Sequence, residues 1–182
     1  MTLSDRTVRQ LLQREFHCTW GNTDGDAAAG ESFAHEPGDP AGSCIRGNGE
    51  HNVQLLILTP EGEILGALAG FLSAEELAEE LRFASALWRD LQRAVADEQL
   101  DREDVEGFVA DAHERRVREL EKREWKGPLA DFAKRRALSD HRFSARRALM
   151  PYEEFRIVDM VGSARTFFGT SQGGRPGGRI GR

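Results

Sequence analysis

The stretch from Val53 to Arg93 constrains the fold more than any other. VQLLILT (53–59), the tetrapeptide Pro60-Glu61-Gly62-Glu63 and ILGALAG (64–70) give two apolar runs joined by a turn carrying both Pro and Gly. That pattern predicts a β-hairpin. The first arm is almost continuously apolar, which predicts a strand buried on both faces of a sheet. Ser73-Ala74-Glu75-Glu76 reads as a capping box, with Ser73 as cap and Glu76 three residues on. Behind it Leu77, Leu81, Ala84, Trp88 and Leu91 fall on one face of a helix running to about Arg93.

The flanks are less regular. Residues 4–15 predict a short helix with Ser4 as N-cap and Val8, Leu11 and Leu12 on its apolar face. In FHCTW, Phe16, Cys18 and Trp20 alternate with His17 and Thr19, the period of a strand. Residues 21–52 are rich in Gly and lack periodicity, an unusually long connection for a compact domain. Downstream, Asp101 is placed to cap a helix over 102–125 with Val105, Phe108, Val109, Ala112 and Leu120 on its apolar side. Asp111/Arg115, Glu114/Arg118 and Glu119/Arg123 form i,i+4 pairs on the rest. Gly127-Pro128 ends that helix and starts a short one over 128–138. Residues 139–160 are mixed, with FRIVDMV (155–161) a short strand or anchoring segment.

Charge divides along the chain. Formal charge is −8 through Val95, −5 from Ala96 to Glu124 and +7 from Trp125 onward, within a total of −6. The basic end either contacts nucleic acid or an acidic partner, or packs back on the acidic front. Arg142, Arg146, Arg147, Arg175, Arg179 and Arg182 are its candidate nucleic-acid contacts. GGRPGGRIGR resembles arginine–glycine tails, although aromatic residues for base stacking are sparse around it. Phe167-Phe168 reads as an aromatic plug that docks on a core. No run approaches the roughly 18 apolar residues of a membrane span, and the first ten residues lack the apolar core of a secretory signal. A cytoplasmic protein with no membrane partner is therefore expected.

Taken in order, helix, FHCTW, long connection, hairpin and capped helix resemble a thioredoxin-like domain that lacks its beginning. SDRTVRQLLQREFHCTW is similar to the helix and strand that follow the active-site turn in such domains. NVQLLILTPEGEILGALAG with FLSAEELAEELR resembles their terminal hairpin and last helix. The family's first strand and its CxxC have no counterpart, and His51-Asn52 stand where the family places a cis-proline. The resemblance thus implies the fold without its disulfide-exchange residues. It also implies a gap in the sheet, to be filled by FRIVDMV, by a partner or by a further segment.

Two cysteines allow at most one pair. Cys18 reads as a small buried hydrophobe. Cys44, in the Gly-rich connection, is the better candidate for a reactive thiol, with His51 as its imidazole partner. A Cys18–Cys44 disulfide is open but disfavoured in a reducing compartment. Cys44, Cys18 and His51 are accordingly the candidate catalytic residues. No metal site is assigned. His17, His35, Cys44 and His51 are the right ligand types for zinc, but their spacing matches no compact signature. Gly42, Gly47 and Gly49 with Arg46 lead into a strand rather than a helix, so they read as turns and not as a phosphate loop. His113 and His141 read as solvated surface or capping residues.

The expected architecture is α/β: an incomplete thioredoxin-like domain over 1–95, a helical extension over 96–150 and a basic Gly/Arg-rich tail over 151–182. The expected function is a non-enzymatic interaction or scaffold module with a protein partner and no cofactor. The alternatives are a thiol-dependent redox protein using Cys44, and nucleic-acid contact through the basic end.

Overall fold

A computed structural model describes residues 2–21, 54–70, 72–97, 100, 104–152 and 154. It contains α1 (Arg6–Glu15), β1 (Gln54–Leu58), β2 (Ile64–Ala69), α2 (Ala74–Ala96), α3 (Asp104–Lys122) and α4 (Ala130–Arg146). Among the described residues the class is mixed: four α-helices around a two-stranded antiparallel sheet.

The hairpin forms where its sequence places it. Gln54 pairs with Ala69, Leu56 with Ala67 and Leu58 with Ile64, with a register shift between Ile57 and Leu58. Thr59 closes the turn. Its N–H donates to the Glu63 carbonyl at 2.8 Å, and its own carbonyl accepts from the Gly62 N–H at 3.0 Å. Gly62 sits at φ +85, a conformation that favours a residue without a Cβ. The arms exchange the roles expected of them. β2 is the strand buried on both faces, from Ile64 through Leu68, whereas Leu58 of β1 is exposed. The reason lies downstream, because α4 and the chain after it cover β2.

That covering chain is a short strap. Leu149 donates to the Ile64 carbonyl at 2.9 Å, Ile64 donates to the Met150 carbonyl at 2.9 Å, and Tyr152 donates to the Gly62 carbonyl at 3.0 Å. Glu63 and Pro151 form an antiparallel bridge. The strap requires Leu149 to adopt φ 53, a left-handed conformation uncommon for a residue with a branched side chain.

The capping box at α2 is present. The Ser73 hydroxyl accepts from the Glu76 N–H at 3.3 Å, and the Glu76 carboxylate accepts from the Ser73 N–H at 2.7 Å. At α1 the cap is Asp5 rather than Ser4: its carboxylate accepts from Thr7 and Val8 N–H at 2.8 and 3.1 Å. Ser4 belongs instead to a 3₁₀ turn, Thr2–Ser4, from which the Thr2 hydroxyl donates to the Leu72 carbonyl at 2.6 Å.

Residues 16–20 adopt no strand. Phe16 packs partly against the core, and His17, Cys18, Thr19 and Trp20 are exposed, so the alternation creates no buried face. Cys18 is therefore not the buried hydrophobe that its flanking aromatics suggested. Helix α4 runs to Arg146 instead of stopping near residue 138. Within the polar run Ser139-Asp140-His141, which looks like a helix break, Asp140 and His141 are buried, and His141 meets Glu80 of α2 and His113 of α3.

One apolar cluster joins Val8 of α1, Ile57, Leu65 and Leu68 of the sheet, Leu77, Leu81, Ala84, Leu87 and Leu91 of α2, and Val109 and Ala112 of α3. A smaller one gathers Ile64, Ala67 and Phe143, with Leu56 and Met150 beside it. The helices after Asp97 are thus part of the same core as the hairpin. The cap expected at Asp101, the segment 155–161, Phe167-Phe168 and the Gly/Arg tail lie outside the described residues.

Candidate functional site

Where α2, α3, α4 and β2 meet, the chain buries an unusual number of ionisable groups. Glu80, His113, Arg136, Asp140 and His141 are each 2–6% exposed. Their helices place them there by ordinary periodicity. Glu76 and Glu80 lie one turn apart on α2, His113 and Arg116 about one turn apart on α3, and Arg136 and Asp140 one turn apart on α4.

Two histidines form the centre. His113 Nε2 lies 2.9 Å from the Leu65 carbonyl oxygen, and His113 Nδ1 lies 2.9 Å from His141 Nδ1. The Leu65 oxygen can only accept, so His113 carries its proton on Nε2. Its Nδ1 is then an acceptor, and His141 supplies the proton from its own Nδ1. His141 Nε2 faces the Glu80 carboxylate at 3.0 Å. The contact is short but poorly aligned for a hydrogen bond, so it is an ion pair more than a directed bond. A bare lone pair on that nitrogen would face a carboxylate in a dry interior. The arrangement therefore requires His141 to be the imidazolium and His113 the neutral ring.

Charge balance agrees. Arg116 pairs with Glu79 and lies 3.7 Å from Glu80, while Arg123 reaches Glu79 at 2.8 Å. Arg136 spans Glu76 at 3.1 Å and Asp140 at 3.3 Å. Four buried or half-buried carboxylates face three guanidiniums, and a charged His141 makes that set even; a fifth carboxylate, Glu119, reaches Arg116 at 3.5 Å from an exposed position. The capping-box carboxylate of Glu76 thus serves both its own helix and α4.

The titration directions follow from these neighbours. Burial alone would raise the Glu80 carboxyl, but the His141 contact and the charges of His141, Arg116 and Arg136 outweigh it and hold it below the usual carboxylate value. Glu79 is likewise lowered, burial being overcome by Arg116 and Arg123. His113 is pushed down to about 4, first by burial and then by the positive charge on His141. The Leu65 carbonyl and Glu80 only partly offset that. Burial would lower the Arg116 guanidinium, yet Glu79 and Glu80 raise it.

The cluster is closed. Phe83 sets its ring edge-on to both imidazoles, at 5.3 and 5.0 Å between centroids. The cavity among Glu80, His113, Asp140, His141 and Ser144 measures about 10 Å³, room for one water at most. A separate cleft of about 190 Å³ opens between α2 and α3, floored by Phe83, Leu87, Phe108 and Ala112. Phe83 lines both the cleft and the histidine cavity and stands between them.

The candidates read from sequence are placed elsewhere. Cys18 and His17 are exposed beyond α1. Cys44, His35, His51 and the glycines around Arg46 lie outside the described residues. Arg142 pairs with Glu121 at 2.6 Å, and the Arg147 guanidinium sits 5.9 Å from the centre of the Phe143 ring. Arg175, Arg179 and Arg182 are outside the described residues, as is most of the basic tail. Among the described residues no three His, Cys, Asp or Glu side chains are arranged to hold a metal, and no helix is long and apolar enough to cross a membrane.

His113 and His141 are buried, not solvated. A signal for this was present. His113 stands four residues after Val109 and seven before Leu120, on the apolar stripe itself. Comparison with known proteins adds nothing to this geometry: no family model, curated protein or solved structure matches the chain.

Proposed function

We propose that the chain is a non-enzymatic interaction or scaffold module on a degenerate thioredoxin-like fold. The observation that supports this most is the closure of the ionisable cluster. Its carboxylates, guanidiniums and imidazoles are paired with one another, and about 10 Å³ of space leaves no seat for a substrate. The thioredoxin-like part of the reading draws on the hairpin followed by a capped helix, with α1 and α2 both contributing to the main apolar cluster. The absence of a strand at FHCTW weighs against it.

A thiol-dependent redox role is the second reading, favoured by the exposure of Cys18. One experiment separates the two. The chain and its Cys18→Ser/Cys44→Ser variant are assayed for dithiothreitol-driven reduction of insulin disulfides, and the proteins captured by each are compared. The interaction reading expects no acceleration by either and the same captured partners for both. Acceleration by the native chain that is lost in the variant, or partners held only through mixed disulfides, would replace it with the redox reading.

A further inference from the structure

We propose that the His113–His141 pair is a proton-sensitive latch that holds α3 and α4 against β2, closed with one proton between the two Nδ1 atoms and opened by a second. The inference rests on the network geometry and stands independently of the function proposed above.

Both ends of the chain of contacts are fixed by groups that accept. The Leu65 carbonyl of β2 takes the His113 Nε2 proton, and the Glu80 carboxylate of α2 faces the His141 Nε2 proton. Between the rings, 2.9 Å separates the two Nδ1 atoms, a distance that suits one shared proton. If His113 takes a proton on Nδ1, two N–H groups point at each other and two imidazoliums face one another across that gap. A rotamer change on one side is then required, and Phe83 packed edge-on to both rings leaves no room for it within the closed structure.

The surrounding charges do not absorb the second proton. From α2, Glu76, Glu79 and Glu80 face the cluster, but they are engaged by Arg136, by Arg116 with Arg123, and by His141 with Arg116, respectively. From α3 come Arg116 and the exposed Glu119, 3.5 Å apart, and from α4 come Arg136 and Asp140, themselves paired. β2 presents only its backbone at this point: the Leu65 carbonyl, and the Ala67 N–H that donates to Ser144 at 3.2 Å. The position of His113 well below the ordinary imidazole range agrees with a site built for the neutral ring. Movement of α4 off β2 would uncover Ile64, Ala67 and Phe143, the smaller apolar cluster.

The test uses the whole chain labelled with ¹⁵N. At pH 7 the imidazole spectra are expected to give His113 protonated on Nε2 alone and His141 protonated on both nitrogens. Amide exchange followed from pH 7 to pH 4 is expected to lose at least tenfold protection in α3 and α4 before β1, β2 and α2 lose theirs. A His113 proton on Nδ1 at pH 7 overturns the proposal, as does protection that falls in all elements together. In His113→Leu the selective loosening should vanish, and its persistence would also sink the idea. Should that variant fail to fold, the imidazole spectra and exchange profile of the native chain decide alone.

Discussion

At the scale of single residues, buried polarity governs how this protein responds to acid. His113 in the folded chain sits at about 4 against an ordinary value of 6.5. Between those values the unfolded chain binds a proton at His113 that the folded chain refuses, so this residue's contribution to stability is full above about pH 6.5 and is lost as pH falls toward 4. A shift of that size corresponds to about 3 kcal/mol. Glu80, held below the carboxylate value, adds a further loss once pH drops below about 4.5. Urea midpoints should therefore fall from about pH 6 to about pH 4, and a flat profile across that range would contradict the burial of a neutral His113. Removing Glu80 leaves the His141 charge facing no carboxylate in a dry site. Glu80→Leu should cost roughly 3–5 kcal/mol by denaturant unfolding at pH 7. By contrast Glu114 and Arg118, each about 60% exposed and 3.8 Å apart, form a solvent-screened pair. Breaking that pair should shift stability by about 0.5 kcal/mol or less.

At the scale of elements, the hairpin and α2 are specified by local chemistry, and their weak points are local too. Ser73→Ala removes the hydroxyl that accepts from Glu76 N–H and should destabilise by about 1 kcal/mol, measured as a urea midpoint at pH 7. Gly62→Ala meets no atom within 4 Å, so its cost is conformational alone, about 1–2 kcal/mol for a Cβ at φ +85. A neutral Gly62→Ala would mean that the turn relaxes. These elements were legible in the sequence because each signal is contained within a few residues: a Pro/Gly turn, a capping box, an apolar stripe. The length of α4 was not legible. Ser139, Asp140 and His141 favour a break when judged by propensity. They continue the helix because Asp140 finds Arg136, Ser144 finds the Ala67 N–H, and His141 finds Glu80 and His113.

At the scale of the whole molecule, the helices after residue 97 complete the core of the hairpin. Val109 and Ala112 belong to the main apolar cluster, and Phe143 closes the smaller one over Ile64 and Ala67. A chain truncated after Lys126 should bind a hydrophobic dye and unfold without a cooperative transition. A truncated chain with native-like cooperativity would show instead that the front half folds alone. The buried face of β2 has the same origin: its continuous apolar character could be satisfied only once α4 and the strap covered it.

The sequence by itself determined the hairpin, its turn, the capped helix behind it and the apolar stripes of α1 and α3, because backbone preference and hydrophobic period act within a segment. Tertiary structure alone decided which strand is buried on both faces, that FHCTW forms no strand, and that His113 and His141 meet 2.9 Å apart at the centre of the fold. A polar side chain is buried only when its partners arrive from elsewhere in the chain. His113 draws its proton from His141, 28 residues away, and gives its own to Leu65, 48 residues away.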